Sequence, residues 1–239
     1  MVTIPRTHVR DRSLYVWMAV FIPVVVLIGF ARTYYLKGFF GTPALPSLLV
    51  HFHGAVMTAW VVLFMTQVWL VSSRRTKVHQ RLGIGGALLA ALVVCVGTVT
   101  AVYSAARETP SDHPPLVFLA IPLGDMLVFA ILIGIALYYR RWLETHKRLM
   151  LLATMSLLTA AIGRIPFDFI LKGGPLVFFG LTDLCMLACV AFDSIRNRRV
   201  HPAFLWGTLF VIASQPLRVL LAGTSAWLRF AAMLVDLTK

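Results

Sequence analysis

Apolar residues in this chain do not alternate with polar ones. They come in long runs of about twenty, the length that spans a ~30 Å hydrocarbon core as a helix, separated by short polar segments. The runs predict helices over 14–31, 48–73, 82–106, 116–139, 149–170, 176–195 and 203–222. A shorter closing segment, 225–238, sets Trp227, Phe230, Leu234 and Leu237 at helical spacing. It is expected to lie on the membrane surface as an amphipathic helix. The expected fold is all-α: one domain, 1–239, of seven transmembrane helices. The first run follows Arg6, Arg10 and Arg12, as in a signal peptide, but has no small-residue cleavage site, so a retained helix is expected.

Composition agrees with a bilayer as solvent: 59% of residues are hydrophobic and 13% charged, against about 25% charged in a soluble domain. The net charge of +13 does not point to nucleic acid, because the basic residues sit in short turns between apolar runs. The N-terminal segment and the turns after the second, fourth and sixth runs carry fourteen Lys and Arg, against six on the other side, Lys239 included. The positive-inside rule then puts the N-terminus in the cytoplasm and the C-terminal helix outside, in a cytoplasmic (inner) membrane. The three basic turns read RRTKVHQRL, RRWLETHKRL and RNRRVHP. Each is an Arg cluster followed by a histidine, His79, His146 or His201, which suggests three related helical hairpins after the first helix.

Ionisable groups inside apolar runs are costly and usually mark a site. Counted from the outer helix ends at about 1.5 Å per residue, His53, Asp125, Arg164, Asp183 and Arg218 fall roughly 6–13 Å deep, in one layer. Arg164 and Asp168 are four residues apart and can pair. Arg164 can instead reach Asp125, and Arg218 can reach Asp183. Pro122, Pro166 and Pro216 near this layer free backbone carbonyls. Two readings stay open: ion pairs that pin the helices, or an outward-facing cavity that holds a ligand. In His51-Phe52-His53 the two rings splay by about 200° if both are helical. His53 shares its face with Met57, Trp60, Phe64 and Gln67 and should look into the bundle. His51 and His53 with Asp125 and Asp183 would make a mixed nitrogen–oxygen set for copper, zinc or iron. A helical stripe of small residues, Gly83, Ala87, Ala91 and Cys95, suits close helix packing. Cys185 and Cys189, four apart, read as core packing.

His79 and His146 open two different helices on the basic side, each with an arginine two residues on. That is the arrangement a bis-histidine haem b asks for, with arginine for its propionates; polar turn histidines are the alternative. The HKRLMLL at His146–Leu152 resembles the helix starts of small YozB/CtaM-type membrane proteins, which are linked to haem–copper oxidase maturation. HFHG at His51–Gly54 also resembles histidine-bearing helices of haem and copper membrane proteins. The resemblance implies a haem or copper connection, though the outer Asp/Arg layer has no counterpart in it. With the shared depth of the polar groups, the expected function is a haem or metal cofactor in a respiratory redox system, bound by His53, Asp125, Arg164, Asp183 and Arg218, or by His79 and His146. Two other functions stay open: a non-catalytic accessory subunit of a membrane complex, and a small ion or organic-anion transporter. The sequence assigns no catalytic residue.

Overall fold

A computed structural model describes residues 12–107 and 114–238, and every regular element among them is helical. Arg6, Arg10 and Lys239 of the charge count lie outside the described residues. The helices are α1 (Arg12–Phe30), α2 (Leu48–Ser72), α3 (Thr76–Ala106), α4 (Pro115–Phe118), α5 (Ala120–Tyr138), α6 (Leu143–Ser156), α7 (Leu158–Ile162), α8 (Asp168–Asn197), α9 (Pro202–Ala222) and α10 (Ser225–Asp236). A π-helical turn, Ala31–Tyr35, closes α1. Among the described residues, six stretches are long and apolar enough to cross a membrane: Arg12–Tyr35, Leu48–Ser72, Thr76–Ala106, Pro115–Tyr138, Asp168–Asn197 and Pro202–Ala222. Their outer faces carry large apolar side chains without protein cover, such as Trp17, Leu88, Leu184 and Leu220. In water such a surface would drive aggregation; in a bilayer it is the solvated face. This is a multi-pass membrane architecture.

The segment expected as a helix over 149–170 differs from the other six. It begins six residues earlier, at Leu143, and its helical part ends at Ile162. Glu144 favours the early start, since an acid in the first turn suits the helix dipole. Pro166 sets the end, because a proline disfavours helical backbone at the residue before it. Arg164, Pro166 and Asp168 therefore lie beyond this helix, not within it. The segment is also the centre of the bundle: nearly every residue from Arg148 to Ile162 is buried, including Leu151, Leu152, Ala153 and Met155. A helix wrapped by other helices need not be apolar all round. Thr154, Ser156 and Thr159 fit there because each donates to a carbonyl three or four residues back.

Other boundaries follow local chemistry. Ser47 caps α2 by accepting the Val50 amide. In α8 the backbone breaks at Gly174 (φ 58°, ψ −150°), a conformation that glycine adopts readily, just before Pro175. The break falls between the expected helices 149–170 and 176–195, inside a longer element.

Close helix contacts depend on glycine. A Cβ built on Gly29 of α1 would lie 2.1 Å from the Ala161 carbonyl oxygen of α7. Gly29→Ala should therefore destabilise the protein by about 1–3 kcal/mol, the usual cost of overpacking. Gly134 on α5 has nothing within 4 Å of the same position. Gly134→Ala should be neutral or stabilising, and thermal melts of the two purified variants make the comparison.

The closing helix, α10, is amphipathic but is docked on protein. Trp227, Ala231 and Val235 are its buried face, packed with Val102, Ala105, Leu119, Ala120 and Ala222. The Trp227 indole donates to the Leu116 carbonyl at 2.8 Å. Phe230 and Leu237, expected on the same face as Trp227, are exposed. The correction is from a 3–4–3 spacing to a strict every-fourth-residue face.

Candidate functional site

At the α10 end of the bundle the structure gathers part of the expected polar layer, with different partners. Asp125 near the start of α5 and Arg218 near the end of α9 form a buried ion pair, Nη1 to Oδ1 at 2.5 Å. Thr159 donates to the second Asp125 oxygen at 3.3 Å. The guanidinium also donates to Ser214 Oγ at 2.8 Å and lies over the Phe179 ring. Its stem fits because residue 124 is glycine: a Cβ there would meet Arg218 Cδ. Asp183, expected to meet Arg218, instead accepts from the Gln215 amide at 2.6 Å. The other arrangements weighed from sequence do not form either. Arg164 does not reach Asp125 or Asp168; its Nη1 donates to the Ala160 carbonyl and its plane covers Phe30. Asp168 pairs in the open with Lys172.

α2 starts at Leu48, so both histidines of the H-x-H pair are helical and diverge. His51 is exposed, and its carbonyl accepts from Tyr34. His53 is half-buried with an unpartnered, buried Nδ1, within electrostatic reach of Arg164. Trp60 and Phe64, on the His53 face, are buried as expected. Among the described residues no three His, Cys, Asp or Glu side chains gather as a metal-ligand group. His51, His53, Asp125 and Asp183 are thus not drawn together. One histidine faces away, and both carboxylates already accept from a side chain.

The basic end holds a second network that the sequence reading did not single out. Arg148 and Asp193 are both 2% exposed. Arg148 Nε donates to Asp193 Oδ2 at 3.0 Å and Nη2 to Oδ1 at 2.8 Å, a two-pronged pair between α6 and α8. Nη1 reaches Glu144, one turn earlier, through both its carboxylate (2.6 Å) and its carbonyl (2.9 Å). Asn197 donates to the Asp193 carboxylate and carbonyl, and Phe204 lies under the guanidinium. Starting the helix at 149 placed Arg148 in a turn and hid this network. The available signal was Glu144 and Arg148 at i,i+4 with an unmatched Asp193 in the next apolar run.

His201 caps α9 beside this network, its Nδ1 accepting the Ala203 amide at 3.1 Å. Burial first, and the Arg148 charge second, hold its pKa below the ordinary 6.5. The unfolded chain takes up this proton at a higher pH than the folded one. The stability it contributes is therefore complete above about pH 6.5 and is lost as pH falls toward the folded value. His201→Asn keeps a capping side chain without the titration. Melts between pH 5 and 8 should show a shallower acid-side slope for this variant than for the wild type.

His79 and His146 lie near enough to interact electrostatically. His79 lies in the first turn of α3, which starts at Thr76, well before the expected 82. His146 lies in the first turn of α6. Both rings are half-buried and within electrostatic reach of each other. The Ala136 carbonyl is 2.8 Å from His146 Nδ1. A carbonyl only accepts, so Nδ1 carries the hydrogen and Nε2 of the neutral ring keeps a free lone pair. His79 Nδ1 is buried with no hydrogen-bond partner. One oriented imidazole and one unsatisfied imidazole, on separate helices, fit the needs of a haem iron. Of the two neighbouring arginines, Arg148 is committed to Asp193, and Arg81 is exposed.

Comparison with protein-family models, with curated proteins and with solved structures returns no match.

Proposed function

We propose that this chain crosses a bacterial cytoplasmic membrane seven times, N-terminus in the cytoplasm, and holds a b-type haem between His79 and His146 in a respiratory redox system. What supports this reading is the electrostatic nearness of these two rings, with the His146 tautomer fixed by Ala136 and a His79 nitrogen left unsatisfied. The haem would supply one-electron transfer. The protein would supply two axial nitrogens, a hydrogen bond that orients one of them, and Arg81 for the propionates. The central segment 143–162 supplies the seventh crossing in this reading. At the other end, the Asp125–Arg218 and Asp183–Gln215 contacts pin helices together.

The detergent-purified protein should show a Soret band that sharpens and shifts on reduction. His79→Ala and His146→Ala should each lose most of the bound haem, while His53→Ala and Asp183→Asn should keep it. A colourless wild type, or haem retained in both His79→Ala and His146→Ala, overturns the assignment.

One observation favours a second reading, an accessory subunit of a larger membrane complex. On α3, Ala91 and Cys95 of the small-residue stripe are exposed, while the buried glycines and alanines are Gly86, Ala90, Gly97 and Ala105. An uncovered small-residue strip suits a partner helix, and stoichiometric subunits after mild solubilisation would support it. The transporter reading is weaker, since Asp125 already neutralises Arg218.

A further inference from the structure

Sulfur atoms from two helices meet inside the bundle. Cys189 on α8 lies with its Sγ 3.5 Å from Sδ of Met18 on α1. Cys189 is 4% exposed and Met18 7%. Cys185 is one turn earlier on α8, half-buried, and within electrostatic reach of Cys189. None of the three cysteines is in a disulfide.

Thiolate and thioether are soft donors, the set that selects copper(I) over harder ions. The geometry is close to that of a site. Metal–thiolate bonds of about 2.3 Å at trigonal or tetrahedral angles hold two sulfurs about 3.8–4.0 Å apart. The observed sulfur pair needs to open by only a few tenths of an ångström. Hard donors are withheld. Asp193, one turn beyond Cys189, has both oxygens bound by Arg148.

We propose that Met18, Cys185 and Cys189 form a sulfur-only binding site for copper(I). Binding displaces the thiol protons and changes no oxidation state. This site is independent of the haem reading, because its readout is copper content and the haem readout is the Soret band.

The test is an anaerobic copper(I) titration of the intact protein in detergent, against a chromophoric copper(I) chelator. The wild type should take one equivalent. Removing a residue that merely supports a metal ligand costs about 10–100-fold in affinity. Loss of a ligand in Cys189→Ser, Cys185→Ser or Met18→Leu should therefore weaken binding by at least that much. Cys95→Ser, on the exposed face of α3, should leave it unchanged. X-ray absorption of the copper-loaded wild type, which needs no variant to fold, should show a shell of sulfur alone. No binding, binding indifferent to the Cys185 and Cys189 substitutions, or a nitrogen–oxygen shell would each overturn the proposal.

Discussion

Asp193→Ala should lower the unfolding free energy by about 3–5 kcal/mol, the usual result of removing one partner from a buried ion pair. Arg148 would keep its contact with Glu144 but lose a two-pronged carboxylate at a position only 2% exposed. Glu144 is half-exposed at its side chain and cannot replace what Asp193 supplies in the interior. Removing both charges is a different experiment. Arg148→Met with Asp193→Leu replaces the pair by apolar side chains and abolishes both desolvation costs. Such swaps are often neutral or stabilising, so the double variant should recover most of the loss. Denaturant titration in mixed micelles measures both. A loss below about 1 kcal/mol for Asp193→Ala would show that the pair is solvated, as exposed pairs are.

The second large effect is expected at the other end. Asp125→Ala strands Arg218, which is 7% exposed and has an unpartnered Nε. The expected loss is near the lower end of the same range, about 3 kcal/mol. Two features reduce it: Ser214 and the Phe179 face remain, and Arg218 lies one turn from the end of α9, where its long side chain can bend toward water. Asp183→Asn is the contrast, since Asn still accepts from Gln215, and its cost should stay below about 1 kcal/mol. Equal losses at Asp125 and Asp183 would mean that the layer acts as a shared network instead of two separate contacts.

Sequence showed the helices well and the pairing poorly, for a physical reason. Span length and hydropathy report on contact with lipid, so four of the six lipid-facing helices were legible almost to their ends, while α3 starts six residues before the expected 82 and α8 eight before the expected 176. The segment 143–162 touches mainly protein, and its boundaries follow Glu144 and Pro166. Depth along each helix was legible from the rise per residue, which is why Asp125, Asp183 and Arg218 were expected in one layer. Azimuth was not, and azimuth decides that Arg218 meets Asp125 while Gln215, three residues earlier, meets Asp183. His51 and His53 could be separated because the 200° between them follows from helix geometry alone. The nearness of His79 and His146 had only a pattern behind it, an Arg cluster followed by a histidine in successive turns. Arg148 looked like one more loop cation until the helix start moved six residues toward the N-terminus.

The most direct test of the central claim is the spectrum and midpoint potential of the haem in His79→Met. If iron is held by His79 and His146, the wild type is a low-spin bis-histidine haem. Methionine in place of one histidine then gives the Met/His ligation that raises the potential, with a changed electron paramagnetic resonance signal. A spectrum and potential identical to wild type would show that the iron is held elsewhere, and a wild type without haem would contradict the claim outright.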